Sequence, residues 1–358
     1  MTYPPLAEMV GQLFIVGFKG CEIDESHPVY ADIARRNLGG VILFDRHLAS
    51  RDSTNNIVGA QQLARLSSDL QSIRAEQLLI AVDQEGGRVN RFRGEFGFPL
   101  FPEAAELWKK DSAQTEERAG QLAAMLKKYG INYNLAPVVD LNSNPDNPII
   151  GRFGRSFSAD PHRVSAQAAV WIRAHRKAGI VTCLKHFPGH GSAAEDSHTD
   201  FVDISKSWHD NELAPYQELI NNNQADSIML GHLFHKDFDP VFPASLSAKT
   251  VSFLRKELNF HGPVVTDDLQ MRAVTDRYGL QEAVILALQA EVDLILIGNN
   301  LQYDSKIFSQ IHKMVLDAVD KGRLAVEQIA SSWRRVQTLK ASLSASERQN
   351  PSHREKSV

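Results

Sequence analysis

The 358-residue sequence has only two cysteines, Cys21 and Cys183. Cys183 lies in an apolar run, and the pair has neither metal-site nor redox spacing, so a disulfide framework is excluded and a reduced compartment is expected. An excess of charge of either sign is also lacking: the formal balance is −4, and no Lys/Arg cluster builds up on any predicted face. Nucleic acid and other polyanions therefore have no electrostatic footprint to bind. Long hydrophobic runs are missing too. The longest near the start, residues 13–18, is too short to span a bilayer, so no membrane association is expected. The opening MTYPPLAEMV carries no basic stretch, and no small-residue cleavage site follows it, which leads to the expectation of a cytoplasmic protein. No fixed-period repeat, low-complexity tract or interdomain linker interrupts the chain.

What is present is globular in composition, with 43% hydrophobic and 23% charged residues. One pattern recurs: a short apolar strand, a polar residue at its end, a loop, then a helical stretch. The strand candidates are residues 13–16, 41–44, 78–82, 134–139, 181–184, 227–230, 264–266 and 294–297. Helical periodicity falls between them, for instance at 57–73, 114–129, 164–178, 210–222 and 281–290. Alternation of this kind predicts an α/β fold with a parallel sheet covered on both faces. Eight units predict closure into a single-domain (β/α)₈ TIM barrel over residues 1–341. An open doubly wound sheet would alternate as well, but no GxGxxG follows the first strand. Residues 326–339 read as a last helix, and 342–358 as a polar tail expected to fray.

Polar groups stand at the strand ends. Asp45, Asp83, Asp140, Lys185 with His186, His232 and Asp267 each follow an apolar run. One such residue is an ordinary strand end, whereas six in register point to the mouth where barrel active sites form. The segment LKHFPGHGSAAEDSHTD (184–200) reads as a loop, because Pro188, Gly189 and Gly191 break any helix. It carries His186, His190, Asp196 and His198. A carboxylate two residues from an imidazole can fix its tautomer, and an imidazole suits proton exchange near neutrality. VVTDDLQM (264–271) closes strand seven with two carboxylates whose side chains point opposite ways. One of them can face the mouth, as a carboxylate nucleophile would, while the other makes structural hydrogen bonds. VDQEGGRVNRFR (82–93) offers Asp83, Arg88 and Arg91 after a glycine turn, and GRFGRSFSAD (151–160) adds Arg152 and Arg155. Carboxylates accept from sugar hydroxyls, and guanidinium groups donate to hydroxyl or acyl oxygens.

Taken together, DQEGGRVNRF, GRSF, KHFPGHG, DSH and TDDLQM resemble glycoside hydrolase family 3, in its β-N-acetylglucosaminidase (β-N-acetylhexosaminidase) branch. The matching stretches run through most of the chain, and KHFPGHG followed by DSH is the most specific. The resemblance implies hydrolysis of terminal, non-reducing β-linked N-acetylglucosamine with retention of configuration, and no cofactor or metal. It makes Asp267 the nucleophile, His198 the acid/base and Asp196 the partner of His198. Asp83, Arg91, Arg155, Lys185 and His186 become contacts to the sugar. Thr266 stands where Ser is common, and Thr199-Asp200 replaces apolar residues often found there. Chains of this length in the branch resemble bacterial cell-wall-recycling enzymes, so a peptidoglycan-derived anhydro-muropeptide is the expected carbohydrate substrate and a monomer the expected state.

Other readings stay open at this stage. A β-glucosidase or phosphorolytic glycosidase would use the same residues. Substrate-assisted attack by the N-acetyl group would reduce Asp267 to a positioning role. A metal hydrolase could recruit His186, His190, His198, His232 and Asp267, although HxxxH across a Pro-Gly turn does not put two rings on one helical face. A catalytically silent sugar-binding barrel is a further alternative.

Overall fold

The computed structural model describes residues 3–50, 54–107, 109, 112–195 and 201–349. Asp196 and His198 lie outside the described residues.

The described residues form ten short strands: β1 (Phe14–Gly17), β2 (Gly40–Ile42), β3 (Leu79–Val82), β4 (Tyr133–Asn134), β5 (Val181–Phe187), β6 (Val202–Asp203), β7 (Ser227–Leu230), β8 (Leu233–Phe234), β9 (Val264–Thr266) and β10 (Ile295–Ile297). Eight of them form one parallel sheet in the order β10-β1-β2-β3-β4-β5-β7-β9. A parallel bridge between Val265 and Leu294 joins the two ends, so the sheet closes into a barrel. β6 and β8 form a separate parallel pair. The barrel strands are buried along their whole length, as strands must be when side chains fill the interior and helices cover the outside.

The helical layer begins where capping residues allow it. Asp160 accepts the His162 backbone N–H ahead of the helix Pro161–Lys177, and Ser247 accepts that of Thr250 ahead of Ala248–Lys256. Leucine, isoleucine and valine from strands and helices merge into one large core.

Three of the differences from the sequence expectation concern the strands at the site and the last helix. The fourth strand is only Tyr133–Asn134, followed by an isolated bridge from Val138 to Lys185, because Pro137 has no N–H to give to a ladder. β5 runs on through Lys185 and His186 to Phe187, so His186 belongs to the strand and not to the loop after it. The final helix extends from Val326 to Gln349 and buries Leu343, well past residue 339. Among the described residues, no helix is long and apolar enough to cross a membrane.

Candidate active site

The chain leaves β3 through Asp83, Gln84 and Glu85 and then turns at Gly86 and Gly87, both at positive φ. A side chain at Gly86 would bring its Cβ within 2.2 Å of the Pro102 carbonyl oxygen, so the turn depends on glycine. The turn leaves two carboxylates, Asp83 and Glu85, facing β5. Lys185 Nζ bridges them, 2.8 Å from Asp83 Oδ1 and 2.7 Å from Glu85 Oε1. Arg155, from the loop after β4, takes Glu85 in a fork: Nε lies 2.8 Å from Oε2 and Nη2 2.9 Å from Oε1.

These four side chains carry two negative and two positive charges, and they are buried or nearly so. Burial alone would raise the Glu85 carboxyl, but Arg155 and Lys185 outweigh it and hold it well below its ordinary value. Burial would likewise lower Lys185, and Asp83 and Glu85 reverse that. Glu85, Lys185 and Arg155 are therefore ionised and mutually compensated.

His186 stands beside them. Its Nδ1 is 2.7 Å from Asp140 Oδ2, and Arg155 Nη2 approaches its Nε2 at 3.3 Å. Asp140, wholly buried after β4, also accepts the backbone N–H groups of His186 (3.1 Å) and His190 (2.8 Å). Burial pushes the Asp140 carboxyl up, and His186 with these hydrogen bonds brings it below the ordinary range. His190 is buried too. Desolvation, then the neighbouring His186, lowers its ring to about 4, so it is neutral near pH 7.

Asp267 and Asp268 follow β9 and part company there. Asp268 Oδ1 accepts the backbone N–H of Gly298 (2.9 Å) and of Gln270 (3.0 Å). Its carboxyl is pushed up to about 6, mainly by burial. Asp267 is half-buried; its backbone N–H donates to Leu230 and its Oδ1 accepts the N–H of Asp268. His232, fully buried after β7, pairs Nδ1 with the Ser245 hydroxyl (2.7 Å) and Nε2 with the Asp268 carbonyl (2.9 Å).

The mouth thus brings together Asp83, Lys185, Arg155 and His186, with Arg91 at its edge, 3.8 Å from Asp83 and 3.8 Å from Asp45. Arg152 is mostly exposed and pairs only loosely with Asp146 at 3.8 Å. Arg88 lies over the Phe153 ring, 4.9 Å from its centroid. Glu85, the hub of the charged group, was not singled out from the sequence, although its i, i+2 spacing from Asp83 is the signal that could have found it. Asp140 was read as a strand-end polar group, without its role as the partner of His186.

A metal fits this arrangement poorly. Among the described residues, no group of three or more His, Cys, Asp or Glu side chains stands close enough to hold one. Both ring nitrogens of His186 and of His232 already have partners, and that of His186 facing away from Asp140 meets a guanidinium.

Known proteins resemble this chain in sequence and fold. The chain is 33% identical over 356 residues to beta-hexosaminidase A of Pseudoalteromonas piscicida, covering 90% of this chain and 58% of that protein. It is 36% identical over 290 residues to a beta-hexosaminidase of Tolumonas auensis, covering 79% and 81%. A glycoside hydrolase family 3 beta-N-acetylglucosaminidase from Paenibacillus sp. superposes with a TM-score of 0.86 at 34% identity, over 96% of this chain and 63% of that one. Beta-N-acetylhexosaminidase from Beutenbergia cavernae gives 0.83 at 30% identity, over 95% and 99%. The chain therefore spans somewhat over half the length of some relatives and nearly all of others. Residues 5–339 match the glycosyl hydrolase family 3 N terminal domain, and the chain belongs to that family.

Proposed function

We propose that this protein is a retaining exo-β-N-acetylglucosaminidase. The observation that carries the reading is the compensated group Asp83–Lys185–Glu85–Arg155 with His186 at the mouth of a family 3 barrel. It presents fixed donors and acceptors with no net charge, which suits a neutral polyhydroxylated sugar bearing an amide. The names of the relatives support the N-acetylhexosaminide over a plain glucoside.

In this mechanism the Asp267 carboxylate attacks the anomeric carbon as the glycosidic bond breaks. Its negative charge stabilises the oxocarbenium-like transition state. His198, protonated and oriented by Asp196, donates to the departing oxygen, and the neutral ring then takes a proton from the water that opens the glycosyl-enzyme. The natural substrate in this reading is a peptidoglycan-derived fragment with terminal N-acetylglucosamine, processed in the cytoplasm.

The test uses an aryl N-acetyl-β-glucosaminide and the matching β-glucoside, with a slowed 5-fluoro N-acetylglucosaminyl substrate, which keeps the acetamido group, to trap the intermediate. Strong preference for the acetamido sugar, and an adduct on Asp267, are expected. An adduct on Asp268, or none while the N-acetyl group forms an oxazoline, overturns the role of Asp267. His198→Ala should slow a disaccharide about 10²–10⁴-fold more than a nitrophenyl glycoside, whose leaving group needs no proton. A muropeptide turned over no faster than chitobiose would remove the proposed natural substrate.

A further inference from the structure

The turn leaving β5 toward Asp196 and His198 is gripped from several sides. Asp140 accepts the His190 N–H, as described above. Asn147 Nδ2 donates to the carbonyls of His190 (2.7 Å) and Ala193 (3.0 Å), and Asn144 Nδ2 donates to that of Ala193 (3.1 Å). Trp208 Nε1 donates to the Pro188 carbonyl at 3.0 Å.

The remaining grip is ionisable. Glu212, on the single 3₁₀ turn Asp210–Leu213, is 1% exposed, and its Oε2 accepts the Gly191 N–H at 3.2 Å. The fit is tight: a Cβ at Gly189 would stand 2.6 Å from that same oxygen, and one at Gly191 would stand 1.7 Å from the Leu141 carbonyl oxygen. The other carboxyl oxygen, Oε1, is buried as well, and the hydroxyl and backbone N–H of Ser192 interact with the carboxyl. A buried carboxyl held this way costs stability, which asks for a compensating role.

We propose that Glu212 is a positioning residue for glycoside hydrolysis: by holding residues 188–193 it sets where the acid/base pair Asp196–His198 acts. This rests on the reading of those two residues as the acid/base. Catalytic groups must be held to a fraction of an ångström, and a neighbouring shell of fixed side chains supplies that precision. Burial raises the Glu212 carboxyl to about 7, with Asp140 adding to the rise against the pull of Ser192. Near neutrality it is therefore often the neutral acid, which a glutamine can imitate.

The experiment compares Glu212→Ala and Glu212→Gln with the unaltered protein, on a disaccharide and on a nitrophenyl N-acetyl-β-glucosaminide, in single-turnover and steady-state kinetics. Glu212→Ala should lower the disaccharide kcat about 10–100-fold, the range a misplaced catalytic group can cost. KM should stay within about threefold and the nitrophenyl substrate should be little affected, because only the disaccharide needs the proton. Glu212→Gln should restore most of the loss. If the alanine variant does not fold, Glu212→Met, which fills the space without an acceptor, is read in its place. Equal slowing of both substrates, or unchanged disaccharide turnover in a folded variant, overturns the proposal. His198→Ala is run in parallel. Discrimination by His198→Ala without discrimination by the Glu212 variants defeats the Glu212 proposal alone; absence from both defeats the acid/base reading with it.

Discussion

His186 and Asp140 are joined twice. Asp140 Oδ2 lies 2.7 Å from the ring Nδ1, and Oδ1 accepts the His186 backbone N–H at 3.1 Å. The carboxylate therefore fixes both the strand and the ring, and leaves Nε2 toward Arg155. In Asp140→Asn, the amide NH₂ would face either the imidazole or the N–H groups of His186 and His190, and one of these contacts becomes donor against donor. Hydrogen bonds to charged groups contribute about 1.5–3 kcal/mol, so kcat/KM should fall about 10–100-fold in a folded protein. Steady-state kinetics with a circular-dichroism melt would check this, and an unchanged kcat/KM would reduce Asp140 to packing.

Glu85 predicts an acid-sensitive stability. Its carboxyl is held below the unfolded value of 4.5, so its contribution is complete above that value and is lost as pH falls toward the folded one. Glu85→Gln leaves Lys185 and Arg155 with one anion fewer, and breaking a buried pair costs about 3–5 kcal/mol. Denaturant unfolding should show that deficit near pH 7 and a smaller one near pH 3. A deficit independent of pH would mean that shape, not charge, is what Glu85 provides.

Asp267 and Asp268 should separate cleanly. Asp268 has its carboxyl raised from 3.8 to about 6, so between those values the folded protein holds a proton that the unfolded chain has released. Stability from this group falls as pH rises through that window, and at pH 7 the full cost is present. Asp268→Asn keeps an acceptor for Gly298 and Gln270 and removes the charge. Its melting temperature at pH 7 should equal or exceed that of the unaltered protein, with activity retained within about tenfold, one step of about 1.4 kcal/mol. Asp267→Asn should instead lose about 10⁴-fold in kcat, the scale on which an essential catalytic constellation fails. The reverse pattern would exchange their roles.

How far these features could be read without coordinates follows from where each signal lies. The strands at 227–230 and 264–266 match β7 and β9 residue for residue, because both are apolar runs bounded by polar residues. β5 was read three residues short, since the apolar run stops at Leu184; Lys185 continues the strand only because Asp83 and Glu85, some hundred positions earlier, neutralise it. The sugar-facing candidates Asp83, Arg155, Lys185 and His186 were legible as motif residues. Their hub, Glu85, was not, since its importance comes from partners far along the chain, Lys185 on β5 and Arg155 on the loop after β4. Glu212 has no local signature in DNEL at all, and matters through its approach to Gly191.

At the opposite end of the barrel, Lys340 is 5% exposed on the final helix and donates from Nζ to Gln12 Oε1 at 2.7 Å. Burial lowers its ammonium from 10.5 to about 7, with Glu76 opposing the shift only partly. Between those values the unfolded chain binds the proton and the folded protein does not. Stability from this group therefore rises with pH across that window, and its full cost is present below about 7. Lys340→Met keeps the length of the side chain and removes the charge, while Gln12 Oε1 retains the Gln337 amide as a donor at 3.1 Å. Replacing a buried ion pair by apolar groups of similar volume is neutral or gains about 1–4 kcal/mol, and the same desolvation term favours removing the Lys340 charge. The variant should melt higher than the unaltered protein at pH 6, with the gap closing toward pH 10 and the activity unchanged, because the mouth is at the other end. A variant less stable by the same amount at every pH would show that the Lys340–Gln12 hydrogen bond outweighs the desolvation of the ammonium.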